Sequence, residues 1–91
     1  MTVEERARDL SRLLGAAGRA HHAEVGAPSA GWSQWYAAFI QPDIGPLLGF
    51  DPSVEQVAEW LRGADEAHRS EAPGERWPLF YARWILGKVA G

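Results

Sequence analysis

Cysteine is absent from the 91 residues, which excludes disulfides, zinc–thiolate sites and iron–sulfur clusters. Positive charge is scarce: 9 Lys and Arg stand against 12 Asp and Glu, for a formal net charge of −3. Binding to a phosphate backbone needs a basic surface, so nucleic acid is not an expected partner. The excess of acid is small and mixed with base, which also argues against an acidic mimic of DNA. No apolar run approaches the roughly 20 residues that span a bilayer. The opening Met1-Thr2-Val3-Glu4-Glu5-Arg6 is charged and lacks the apolar core of a signal peptide. The expectation is a cytoplasmic protein with no membrane contact.

Hydrophobic residues are 46% of the chain and charged residues 23%, the balance of a folded protein with one core, and residues 1–91 read as one domain. Tryptophan is plentiful. Five in so short a chain are more than closing one core demands.

Several of these aromatics belong to a phrase written twice. Leu14, Ala17, Ala20, His21 and Glu24 recur as Leu61, Ala64, Ala67, His68 and Glu71. After a slightly shorter second loop, Trp32, Tyr36, Ala37 and Ile40 recur as Trp77, Tyr81, Ala82 and Ile85, with Trp35 matched by Phe80 and Phe39 by Trp84. Each half reads A-H-x-x-E, a loop, then W-x-x-[WF]-Y-A-x-[FW]-I. The repeats span residues 3–41 and 53–90 and are joined by a connector rich in proline and glycine.

Each half reads as a helical hairpin. Thr2 with Glu5 has the spacing of a capping box, so the first helix starts near Val3. Val3, Ala7, Leu10, Leu14 and Ala17 then recur at helical spacing. Gly26, Pro28 and Gly31 break the chain. Trp32, Trp35, Tyr36, Phe39 and Ile40 form the apparent buried stripe of the second helix. Pro42, Gly45, Pro46 and Gly49 mark the connector, with Ile44, Leu47, Leu48 and Phe50 pinning it to the bundle. Asp51-Pro52 opens the third helix as cap and first-turn proline. Its stripe is Val54, Val57, Ala58, Leu61 and Ala64. Pro73 and Gly74 break the chain again, and Pro78 sits in the first turn of the fourth helix, where a missing N–H costs little. The fold class is all-α, four helices as two tandem pseudo-symmetric hairpins, with an up-down-up-down bundle as the simplest topology.

In that topology the A-H-x-x-E turns end two helices where the W-x-x-[WF]-Y-A segments begin the other two. His21 lies roughly 20° from Leu10 around its helix, and His68 about 20° from Leu61, so both continue apolar stripes. His22 points outward. The repeated residues therefore gather at one end: His21, Glu24, Trp32, Trp35, Tyr36, His68, Glu71, Trp77, Phe80 and Tyr81.

Three readings fit that gathering. In the first, the polar groups are structural, with His21 bonded to Trp35 or Tyr36 and His68 to Tyr81. In the second, the aromatics wall a site for a planar or cationic small molecule, through stacking and cation–π attraction. Here Trp32 and Trp77 stand at the mouth beside Glu24 and Glu71, while Trp35 and Phe80 support the fold. In the third, His21, Glu24, Asp65, His68 and Glu71 hold a metal with N/O ligands; no other cofactor is implied. Binding of a small ligand or a partner protein is the leading function. Acid–base catalysis by His21, His68 and neighbouring carboxylates is the alternative, and Ser33 and Ser70 have no counterparts that would make a nucleophile.

The A-H-x-x-E…W-x-x-W-Y-A phrase, carried by Ala20, His21, Glu24, Trp32, Trp35, Tyr36 and Ala37 and again by Ala67, His68, Glu71, Trp77, Phe80, Tyr81 and Ala82, resembles one in small, uncharacterised bacterial helical proteins. The likeness covers both hairpins but not the connector, and it implies no activity, cofactor or partner. Finally, Leu79, Ala82, Leu86 and Val89 lie on a different side of the fourth helix from Trp77, Tyr81 and Trp84. A helix apolar on two sides is buried on two sides, which points to a homodimer through that face or to its cover by residues 44–50.

Overall fold

The chain is described by a computed structural model over residues 2–26 and 30–90. Pro28, expected to break the first loop, lies outside the described residues. The elements are four helices: α1 (Val3–Glu24), α2 (Trp32–Leu48), α3 (Val54–Glu71) and α4 (Trp77–Ala90). None is long and apolar enough to cross a membrane.

α1 begins where the spacing predicts. The Thr2 hydroxyl accepts the Glu5 N–H at 3.1 Å, and the Glu5 carboxylate accepts the Thr2 N–H at 3.2 Å. Two donors that the helix leaves bare are thereby satisfied reciprocally, a contribution of about 1 kcal/mol. The helix ends as the N–H groups of Val25 and Gly26 converge on the His21 carbonyl at 2.8 and 3.2 Å. Gly26 adopts φ 83°, which a side chain would resist.

α2 departs from expectation. It does not stop before Pro42 but runs through Pro42 and Pro46 to Leu48. Each proline deprives the carbonyl four residues earlier of its helical partner, here those of Ala38 and Pro42. Ala38 and both prolines are exposed, so water can serve those carbonyls. The connector is thus only residues 49–53. Gly49, at φ 87°, caps the helix by returning its N–H to the Gly45 carbonyl at 2.8 Å. Gly45 is buried beneath the Asp51 carboxylate, which leaves no room there for a Cβ. Asp51 therefore does not cap α3; Ser53 does, its hydroxyl accepting the Gln56 N–H at 3.1 Å. Pro52 precedes the helix rather than opening it, whereas Pro78 does lie in the first turn of α4.

The helices form a ring: α1 packs on α2 and α4, and α3 packs on the same two. Leu10 and Leu14, Ile40 and Ile44, Val57 and Leu61, and Ile85 are fully buried at its centre. The α2 stripe is rotated from the expected one. Ser33, Ala37, Ile40, Ile44 and Gly45 face the core, while Trp32, Trp35 and Tyr36 flank it half-buried and Phe39 is 39% exposed. Small residues let two helix backbones approach, so the bulky rings are displaced to the sides of the contact.

α4 is apolar on two sides because it has neighbours on two sides, α1 and α3. Ala82 and Leu86 are core residues, and Leu79 and Val89 pack half-buried against them.

Candidate functional site

At one end of the ring α1 and α3 finish and α2 and α4 begin. His21, in the last turn of α1, is buried, 7% exposed, with its ring 5.0 Å from Trp35 and 5.1 Å from Tyr36. His68, in the last turn of α3, lies 5.2 Å from Phe80 and 6.0 Å from Tyr81. Trp32 meets Tyr36 edge-on at 5.8 Å, and Trp77 meets Tyr81 at 5.1 Å. The same ring contacts thus occur in both halves between matched residues. Tyr36 and Trp77, 6.0 Å apart, join one hairpin to the other.

Between the hairpins opens a cavity of about 590 Å³, walled by Trp32, Tyr36, Trp77 and Tyr81 and by His21 and His68. Its lining is completed by Gly18, His22, Gly26 and Asp65. Sites for small organic molecules occupy about 300–1,000 Å³ and combine apolar walls with a few polar groups, and this cavity has both properties.

Six of the ten residues expected at the site therefore line one cavity, and four do not. Trp35 and Phe80 touch the histidines but not the cavity. Glu24 and Glu71 are exposed and outside it, because each is the final residue of its helix and turns to solvent. Trp32 and Trp77, expected at the mouth beside those carboxylates, line the cavity without them. His22, read as a surface residue, is exposed yet contributes to the wall. Gly18 and Gly26 were missed because glycine carries no chemistry of its own. Gly18 stands three residues before His21, as Asp65 does before His68, and that alignment is the signal that would have revealed it.

This one difference breaks the symmetry of the site. In the second half the Tyr81 hydroxyl donates to Asp65 Oδ1 at 2.6 Å, and Arg69 holds Oδ2 at 2.9 Å. Burial, then the hydrogen bond to Asp65 and its negative charge, push the Tyr81 phenol far above its ordinary value, against a smaller opposing effect of Arg69. In the first half Gly18 offers no carboxylate. A Cβ placed on it would lie 3.6 Å from the Tyr36 oxygen and 3.0 Å from Cζ2 of Trp77, so the Trp77 ring occupies the space beside it. Burial alone raises the Tyr36 phenol. Both phenols hold their protons at neutral pH, but Tyr81 is committed to Asp65 while Tyr36 has no hydrogen-bond partner among the described residues.

The histidines also differ from the expected structural network. His68 Nε2 is 2.7 Å from the Glu75 carbonyl, not bonded to Tyr81. A carbonyl only accepts, so Nε2 carries the proton, and the last turn of α3 is tied to the loop before α4. His21 Nε2 is buried with no hydrogen-bond partner among the described residues, and the imidazole packs against the rings of Trp35 and Tyr36. Neither histidine is hydrogen-bonded to a carboxylate among the described residues. Nor do His21, Glu24, Asp65, His68 and Glu71 come together as a ligand set: among the described residues no three His, Asp or Glu side chains are placed to hold one ion.

Comparison with known proteins finds no matching family, curated protein or solved structure.

Proposed function

We propose that the protein binds a small organic molecule in the cavity between its two hairpins. The observation that carries this reading is a cavity of about 590 Å³ whose walls are the repeated Trp, Tyr and His residues of both halves. Trp32 and Trp77 are half-buried, as residues are that lend one face to the fold and keep another for a ligand. The Tyr36 hydroxyl supplies an uncommitted polar contact to orient it.

The test is a screen of soluble small molecules against ¹⁵N-labelled protein, following the indole N–H signals. Ligands should move the Trp32 and Trp77 signals and leave that of Trp60, buried in the core, in place. Trp32→Leu should abolish the response without loss of helical circular dichroism. A diverse library that moves neither signal overturns the proposal.

A second reading is favoured by one observation. Trp35 and Phe39 stack at 5.6 Å and 13° on the outer side of α2, with Phe39 39% exposed and Ala38 and Pro42 exposed beside it. An aromatic pair with one exposed ring suits contact with a partner protein. Cross-linking from a photoreactive group at Phe39 tests it, and failure to capture a partner from a native lysate counts against it.

A further inference from the structure

From the arrangement of rings and charge, we infer that the ligand of this cavity is a small solute carrying a methylated ammonium group. The inference rests on the binding role proposed above and assigns that site its ligand class. The walls are four aromatic rings in succession, Trp32, Tyr36, Trp77 and Tyr81, each turned by 66–84° from the next at centroid distances of 5.1–6.0 Å. Four aromatic side chains drawn from both hairpins line this one cavity, and such a lining suits a compact cation. Flat ligands are better served by parallel rings, between which they slide.

Charge points the same way. Asp65 is the sole Asp, Glu, Lys or Arg among the described residues lining the cavity. An anion would meet this carboxylate with no Lys or Arg in the described lining to offset it, though His21, His22 and His68 also line the cavity. A cation meets the carboxylate and the aromatic lining. Arg69 pairs with Asp65, but its side chain is 74% exposed and it does not line the cavity, so water screens its influence more than that of Asp65. Methyl groups suit the site because its walls are apolar. An ammonium bearing three N–H bonds would need several acceptors here, and with Asp65 already accepting from Tyr81 and Arg69 the Tyr36 hydroxyl offers one. A trimethylated nitrogen needs none.

Calorimetric titration of the intact protein with choline and with 3,3-dimethyl-1-butanol, its uncharged carbon isostere, tests the inference. Choline should bind at least about tenfold more tightly, the advantage expected of a cation over partly desolvated rings. A trimethyl-lysine peptide in a parallel titration distinguishes the source of the group: weaker binding than choline supports a free solute, and tighter binding overturns that part of the inference. Asp65→Asn should erase most of the preference. Because that change also disturbs Tyr81 and Arg69, Trp77→Leu, which stays apolar but removes the ring, should independently lower choline affinity about tenfold with circular dichroism unchanged. Equal affinities for choline and its isostere overturn the inference and leave the binding role standing. It is likewise overturned, with the binding role intact, if neither binds while uncharged aromatics move the Trp32 and Trp77 signals. Silence from every compound overturns both.

Discussion

Replacing Tyr81 with Phe removes one oxygen and perturbs both the stability of the fold and its dependence on pH. The lost hydrogen bond runs to an ionised carboxylate at 2.6 Å from a ring that is 6% exposed. Bonds of that kind contribute about 1.5–3 kcal/mol. Asp65 keeps Arg69, and its side chain is 26% exposed to water, so the loss falls toward the lower end, about 1.5–2 kcal/mol. For a domain this small that lowers the melting temperature by roughly 6–16 °C. Alkaline pH exposes the second effect. Burial and the bond to Asp65 hold the Tyr81 proton in the folded chain well above the ordinary phenol value of 10. The unfolded chain releases it near 10. The contribution is therefore complete below about pH 10 and is lost as pH rises further, because unfolding then sheds a proton that the native state keeps. The slope is about 1.4 kcal/mol per pH unit. Urea unfolding followed by circular dichroism from pH 7 to 11 measures both effects. Tyr81→Phe should be less stable at pH 7 and lose stability less steeply above pH 10, with Tyr36 still contributing its own part. A variant as stable as the parent at pH 7, with the same alkaline slope, refutes the reasoning.

Glycines in the helices give opposite predictions by position. A Cβ at Gly63 would stand 2.6 Å from Cη2 of Trp84, so Gly63→Ala should destabilise by about 1–3 kcal/mol despite better helix propensity. Gly87 is exposed on α4 with nothing within 4 Å, and Gly87→Ala should stabilise by about 0.5–1 kcal/mol; urea midpoints compare them. Leu86 is 7% exposed in the core, so Leu86→Glu should unfold the chain rather than release a folded monomer, as circular dichroism with sedimentation will show. Leu14→Ala should cost about 2–5 kcal/mol, a large part of the stability of so short a chain, whereas Trp32→Leu at the cavity should cost less than half as much in the same melts.

Where a local rule acts without competition, the sequence reads directly into the fold. The capping box of Thr2 and Glu5, the first-turn Pro78 and the burial of Leu10, Leu14 and Leu61 all stand as expected. Misreadings arise where two rules compete. Pro42 and Pro46 look like a stop, but a proline costs least where the carbonyl it strands is exposed, and Ala38 and Pro42 are. Trp35 and Phe39 look like core because they are large, yet helix contacts select the smaller Ser33 and Ala37 for the seam. Asp51 is as good a cap by type as Ser53 and loses that role to the packing of its carboxylate over Gly45. At the site, helical spacing brings His21, His68, Trp32, Tyr36, Trp77 and Tyr81 together. The exclusion of Glu24 and Glu71 depends on how the chain leaves α1 and α3, which periodicity does not encode.

The contact between α1 and α4 has a further consequence, for the rate at which the fold assembles and comes apart. Three of the ring's seams join helices adjacent in the chain, across residues 25–31, 49–53 and 72–76. The fourth joins the first helix to the last, and Glu4 meets Arg83 across 79 positions. Loop closure makes that seam the most expensive to form, so it is expected to form after the other three, when much of the chain is already ordered. A contact made after the rate-limiting barrier contributes to the unfolding rate and not to the folding rate. Truncating the buried Ala7 or Leu10, which follow Glu4 along α1, should therefore steepen loss of the native state while leaving refolding nearly unchanged, a pattern that denaturant-jump kinetics resolves limb by limb. On this account the persistence of the native molecule is decided at the line where its first and last helices touch.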